Sequence, residues 1–214
     1  MSNDDTRAAI ETQAKALGLP LHAGMATSLA AARKRTTGLA HERHPHLLPL
    51  TMRAEFREHL EREAMPNGWQ VGGDSRLMGQ LLLQNAEMGM EMRFVKERRR
   101  SYPGGVPTAG KNHARRARWT QEPLDFVVPG APSSMIQSTN LLLCWDFPSS
   151  RNLDEFCLRI VHTLAPGTYG TAVPCDLILE VGDGGSIFTR LKFSGSDEDE
   201  DFFKVEISEE ENGS

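Results

Sequence analysis

The residues best suited to chemistry in this 214-residue chain are the basic side chains of residues 93–118. This segment holds nine Lys and Arg residues against one acid, Glu97, so its formal charge is +8. A guanidinium group can donate two parallel hydrogen bonds to the oxygens of one phosphate, and lysine adds a compact positive charge. We therefore expect the segment to contact an acidic partner, either nucleic acid or protein. The basic residues are Arg93, Lys96, Arg98, Arg99, Arg100, Lys111, Arg115, Arg116 and Arg118.

A loop rich in Gly and Pro, residues 102–110, separates these basic residues into two clusters. Such a loop can follow a phosphate backbone while aromatic rings beside it stack on bases. The rings expected to stack are those of Tyr102, His113 and Trp119. The competing interpretation is a solvated surface loop whose arginines pair with the protein's own acids.

The C-terminal segment 197–214 carries the opposite charge. It contains nine acidic residues and one lysine, for a formal charge of -8, with bulky apolar residues such as Phe202 and Ile207 between them. This composition is typical of a tail that is flexible alone and orders on a partner. The tail is expected either to occupy the basic segment 93–118 and weaken its binding to an acidic partner, or to hold a basic partner protein.

Imidazole groups cluster at His41, His44 and His46. Neutral imidazole is a common zinc or copper ligand, and helical spacing would bring His41 and His44 together. However, His-Glu-x-His is one residue shorter than the zinc-protease motif, and Pro45 interrupts any helix there. The three histidines are therefore weak metal candidates, and no cofactor is expected.

Aspartates on predicted strands, in the same chain as a basic segment, suggest an alternative function. The protein would then be a metal-dependent enzyme that modifies nucleic acid. Such enzymes hold Mg²⁺ with an Asp on one strand and place Glu-x-Lys on the next. Asp146 and Asp176 are available, but neither precedes a strand with Glu-x-Lys. The sequence also lacks a Gly-x-Ser-x-Gly motif and a phosphate-binding glycine loop. These absences favour a protein that is not an enzyme.

The predicted secondary structure that positions these residues changes from helices to strands near residue 120. Before that point, the spacing predicts helices over 4–17, 25–35 and 51–64, and a long helix over about 75–101. After it, short apolar or alternating runs separated by turns predict four or five strands. The predicted strands cover residues 124–128, 141–147, 156–164, 175–181 and 187–193.

These elements predict an α+β fold, in which a helical N-terminal part packs on a mainly antiparallel sheet. Residues 1–120 would form the helical part with its basic loop, 121–195 the β part, and 196–214 the flexible acidic tail. Because half-apolar strands need a cover, the long helix is expected to lie on the sheet. The first two parts would then fold as one cooperative domain.

Composition sets the outer limits. Hydrophobic residues make up 39% and charged residues 25% of the chain, which excludes collagen-like, disulfide-scaffold and wholly disordered proteins. The net charge of -5 identifies no partner. With an acidic N-terminus, no long apolar run and three cysteines in apolar surroundings, a cytoplasmic location without membrane contact is expected.

The favoured function is a non-enzymatic binding or regulatory protein that contacts its acidic partner through loop 93–118 and is tuned by its acidic tail. A structural or adaptor protein docking through the tail is a third hypothesis, beside the metal-dependent enzyme. The oligomeric state is left open.

Overall fold

The computed structural model describes residues 3–98, 101–124, 138–149 and 152–189. Two helices pack on one face of a seven-stranded mixed sheet, and a short third helix lies on the other face. The helices are α1 (Asn3–Arg35), α2 (Leu47–Arg62) and α3 (His113–Trp119). The strands are β1 (Gln70–Gly72), β2 (Leu82–Asn85), β3 (Met90–Lys96), β4 (Thr139–Asp146), β5 (Cys157–Thr163), β6 (Cys175–Val181) and β7 (Ile187–Thr189).

The strands lie across the sheet in the order in which they occur in the chain. All neighbouring pairs are antiparallel except β3 and β4, which run parallel from Met90 opposite Thr139 to Lys96 opposite Trp145. Parallel neighbours need a crossover connection, which is made here by residues 97–138. The predicted α+β class is confirmed, but the predicted count of four or five strands is wrong.

The predicted long helix over 75–101 is also wrong, because most of that segment forms β2, a turn and β3. Met90, Met92 and Phe94 are buried on the same face of the sheet, as the two-residue period of a strand requires. Gly89, with a φ of +62°, lies in the turn between the two strands. Leucine and methionine are buried equally well in a strand or a helix, so their spacing here fits both. The packing of the folded protein therefore determines the structure of this segment, and helix propensity predicts it wrongly.

Helix α1 continues through Gly18 and Pro20, where the sequence predicts a break between two helices. Gly18 has a packing role, since a Cβ atom there would clash with the carbonyl oxygen of Gly185 in the turn after β6. Leu17 and Leu21, on either side, have no exposed surface. Burial of this region against the sheet offsets the unfavourable proline within the helix.

Each face of the sheet has its own apolar core. On the first face, which α1 and α2 cover, the ring of Phe94 lies 4.9 Å from that of Phe56 and is stacked 5.9 Å from that of Trp145. On the second face, segment 97–124 covers a smaller core. Its buried members are Val106, Ala109, Trp119, Leu142, Cys144, Val161 and Val173.

A buried ion pair attaches segment 97–124 to the second face. The side chains of Arg159 and Glu97 are only 2% and 1% exposed, and the Nε of Arg159 donates to the Glu97 carboxylate. Arg159 also donates through Nη2 to the carbonyl oxygen of Gly104. The start of the crossover is therefore fixed to β5 by charged hydrogen bonds.

No helix in the described ranges is both long and apolar enough to cross a membrane. Helix α1 has the length, with 33 residues, but it carries charged residues at both ends.

Candidate functional site

Part of the predicted basic segment converges on the second face of the sheet. Arg93 projects there from β3, because its neighbours Met92 and Phe94 belong to the core of the first face. Helix α3 lies on the same face, where its last residue, Trp119, is buried. Its N-terminus is capped by Asn112, whose side chain accepts a 2.9 Å hydrogen bond from the backbone N–H of Arg115. Arg115 and Arg118, three residues apart, therefore share one side of this helix.

Arg93 is the central residue of this group. Its side chain is half-buried, and its guanidinium makes no hydrogen bond or ion pair with any residue that the structure describes. Burial lowers the pKa of its guanidinium, and the positive charges of Arg115 and Arg118 lower it further, whereas Glu91 raises it. A charge taken out of water without a partner costs free energy that a bound anion would offset.

Glu91 is the carboxylate beside these arginines, and its charge is already shared. It pairs with Arg118 at 3.2 Å and accepts a 2.9 Å hydrogen bond from Gln84 on β2. Among the described side chains, Arg93 and Arg115 therefore keep guanidinium groups without a partner of their own. The group is positively charged overall.

A fourth arginine reaches the same end of the sheet from helix α2. Arg53 donates through Nη1 to the carbonyl oxygen of Met78 at 2.9 Å, and its charge lowers the pKa of Arg93. Its Nε is buried without a partner in the described part of the chain, and burial lowers its own pKa. We call Arg53, Arg93, Arg115 and Arg118 the arginine cluster.

The other predicted basic residues lie elsewhere. Lys96 projects to the first face, where it pairs with Asp146 and lies over the rings of Trp145 and Phe147 at 5.1 and 5.3 Å. Arg98, Lys111 and Arg116 are exposed outside the cluster, and Arg99 and Arg100 fall outside the described residues.

The predicted stacking rings are largely occupied. Trp119 is 2% exposed, and its indole N–H donates to the carbonyl oxygen of Pro107 at 3.1 Å. Tyr102 packs edge-on against Tyr169, with ring centroids 5.7 Å apart, while its hydroxyl accepts from Thr108. His113 is exposed at the start of α3. Trp119 is therefore an anchor for α3 rather than a platform for bases.

The three histidines lie between α1 and α2. The rings of His44 and His46 are 6.5 Å apart and meet edge to face. His41 and His44 line an open cleft of about 550 Å³, together with Arg33, which pairs with Asp154. Over residues 3–98, 101–124, 138–149 and 152–189, no three His, Cys, Asp or Glu side chains are arranged to hold a metal.

The two aspartates of the enzyme hypothesis lie at opposite ends of β5. Asp146 is opposite Cys157 at its start, and Asp176 is beside His162 near its end, so the carboxylates are roughly 15–20 Å apart. Burial alone would raise the pKa of Asp176, but hydrogen bonds from His162 and the Leu124 N–H hold it below its ordinary value. Two carboxylates at this separation cannot share one metal ion.

Sequence reasoning missed Glu91 and Arg53. The alternation of residues 90–96 would have placed Glu91 beside Arg93 if the segment had been interpreted as a strand. For Arg53 the sequence gives no signal, because only the tertiary packing of α2 brings it to the cluster.

Comparison with known protein families, curated proteins and solved structures finds no match for this chain.

Proposed function

We propose that this chain is a non-enzymatic nucleic-acid-binding protein whose arginine cluster contacts phosphate groups. The observation that carries the proposal is Arg93, a half-buried guanidinium with no described partner and two further arginines beside it. Three neighbouring cations repel one another in the free protein. A polyanion would relieve that repulsion, and it would supply an acceptor for the guanidinium of Arg93.

The residue type suits phosphate as a ligand. The guanidinium is planar, always charged and less strongly hydrated than lysine's ammonium, so it can be half-buried and still bind phosphate oxygens in pairs. Arg93 on a strand and Arg115 on a helix belong to different elements, which fixes the separation of their backbones. Such a rigid arrangement suits the repeated charge of a nucleic-acid backbone.

The acidic tail, residues 197–214, is proposed to weaken phosphate binding through its negative charge. Residues 197–214 carry -8, equal and opposite to the +8 of residues 93–118. At low ionic strength, such a segment in the same chain competes with phosphate for the arginines. Removing it should therefore strengthen binding.

The test is fluorescence anisotropy with labelled DNA and RNA, single-stranded and duplex, over a range of salt concentrations. We expect Arg93→Gln/Arg115→Gln to weaken binding by about tenfold or more and to reduce the salt slope by about two. The matched control is Arg43→Gln/Arg62→Gln, which removes the same charge from exposed positions outside the cluster. A version ending at Gly195 should bind more tightly than the full chain.

Two results would overturn the proposal. If the control pair weakens binding as much as the cluster pair, only net charge matters and the cluster is not a site. If a polyglutamate peptide binds to the cluster as tightly as DNA or RNA does, an acidic protein is the partner instead.

A further inference from the structure

The loop between β1 and β2, residues 73–81, is held in one conformation by arginines of α2. The Nη1 of Arg57 donates to the carbonyl oxygens of Gly72, Gly73 and Gln80 at 2.9, 3.2 and 2.8 Å. Arg53 donates to Met78, as described above. Three of these charged hydrogen bonds reach the loop itself and one reaches the last residue of β1, so arginines of one helix brace the loop near both of its ends.

The tip of this loop presents two large apolar side chains to solvent. Leu77 is 62% exposed and Met78 is 70% exposed. Met78 also has a φ of +54°, a left-handed conformation that a bulky residue adopts only when the surroundings enforce it. An ordered, strained loop that exposes neighbouring Leu and Met side chains gains nothing from them in the isolated protein, so their role is expected in a complex.

The loop tip is linked to the arginine cluster through Arg53 and through the start of β2. Arg53 belongs to both, because it holds the Met78 carbonyl and its charge acts on Arg93. The loop leads directly into β2, where Leu82 is the cross-strand partner of Arg93. The loop tip and Arg93 therefore lie near the same end of β2.

We propose that Leu77 and Met78 form an apolar wedge that enters a base step of double-stranded DNA while the arginine cluster holds the flanking phosphates. This inference rests on the proposed function. Proteins that bend duplex DNA insert Leu or Met side chains in this way, beside arginines that contact the backbone. The wedge opens the stack, and the bend brings more phosphates to the protein.

The chemistry of the loop tip argues for a duplex rather than a single strand. Binding to single strands relies on aromatic side chains that stack with exposed bases. At the tip of the braced loop, the exposed side chains are instead the aliphatic Leu77 and Met78, while the exposed ring of Tyr169 packs edge-on against Tyr102. An aliphatic pair beside arginines instead fits a groove whose base steps can be parted.

The experiment measures bending by energy transfer between dyes at the two ends of a short duplex, together with affinity. We expect the full chain to increase energy transfer, and Leu77→Ser/Met78→Ser to abolish the increase and lose about tenfold in affinity. The salt slope should stay unchanged, because no phosphate contact is removed. The matched control is Leu19→Ser/Leu39→Ser, which alters side chains 60% and 51% exposed away from this surface.

The outcomes separate the wedge from the underlying proposal. If the arginine variants lose binding but Leu77→Ser/Met78→Ser bends and binds like the unaltered protein, the wedge is wrong and nucleic-acid binding stands. Equal affinity for the single strand of the same sequence would also overturn the wedge. If the apolar variant loses binding only to mixed phosphatidylcholine and phosphatidylserine vesicles, and duplex binding is absent, the partner is an anionic lipid surface and both proposals fall.

Discussion

The two faces of the sheet differ in how they treat charge. The first face is closed by α1 and α2 over a core of buried apolar side chains, in which Phe94 packs between Phe56 and Trp145. The second face is closed by segment 97–124 over a smaller core, with charged side chains beside it. Burial of apolar surface holds the first face, whereas the second depends in addition on charged groups that must be compensated.

Two arginines of the second face show what that compensation means. Arg159 is nearly completely buried, yet the Glu97 carboxylate and the Gly104 carbonyl oxygen accept its hydrogen bonds. Arg93 is half-buried and lacks any such acceptor among the described residues. In the first arrangement the charge is compensated within the fold, and in the second we propose that the cation is compensated by a ligand. Stability measurements can separate these roles.

The largest expected effect comes from breaking the compensated pair. Glu97→Leu leaves Arg159 as a buried charge without its carboxylate, so the free energy of unfolding should fall by about 3–5 kcal/mol. The double variant Glu97→Leu/Arg159→Met removes both charges and should recover most of that loss. Urea denaturation at neutral pH measures both. A single variant as stable as the unaltered protein would show that the pair does not fasten the crossover.

The first face should be sensitive to shape instead. Alanine normally stabilises a helix relative to glycine by about 1 kcal/mol. Gly18→Ala should reverse that sign and destabilise by about 1–3 kcal/mol, because the added methyl group meets the backbone of Gly185. Thr27→Ala, at an exposed position of the same helix, should instead stabilise slightly. Thermal unfolding compares them, and a stabilising Gly18→Ala would mean that α1 does not approach this turn.

The sequence is sufficient for short apolar or alternating runs that turn residues bound on both sides. The predicted runs 141–147, 156–164 and 175–181 correspond to β4, β5 and β6. The first is a short, continuous apolar run, and the other two show a two-residue alternation between turns. Residues 75–101 were misassigned since leucine and methionine at many positions satisfy either period. The predicted strand over 124–128 and the acidic tail lie outside the described residues, apart from Leu124 itself.

The site was only partly predictable for a related reason. Arg93, Arg115 and Arg118 were included among the predicted binding residues, but nothing in their spacing distinguished them from Lys96 or Arg116. The distinction comes from the crossover, which brings α3 back over β3 across a gap of about twenty residues in the chain. Likewise, an aromatic residue at a segment edge can be an anchor or a platform, and only its burial makes Trp119 an anchor.

The smallest expected effect distinguishes the two arginines most directly. Arg93→Met keeps an aliphatic stem on the second face but removes an uncompensated charge repelled by Arg115 and Arg118. We therefore expect the free energy of unfolding to rise by about 0.5–1 kcal/mol while affinity for nucleic acid falls. Arg43→Met, at an exposed loop position, should change neither quantity beyond about 0.5 kcal/mol. Urea denaturation at low and moderate salt provides the readout, and the gain should shrink as salt screens the repulsion. If Arg93→Met destabilises the protein instead, Arg93 is a structural residue like Arg159 and no ligand is needed to explain its position.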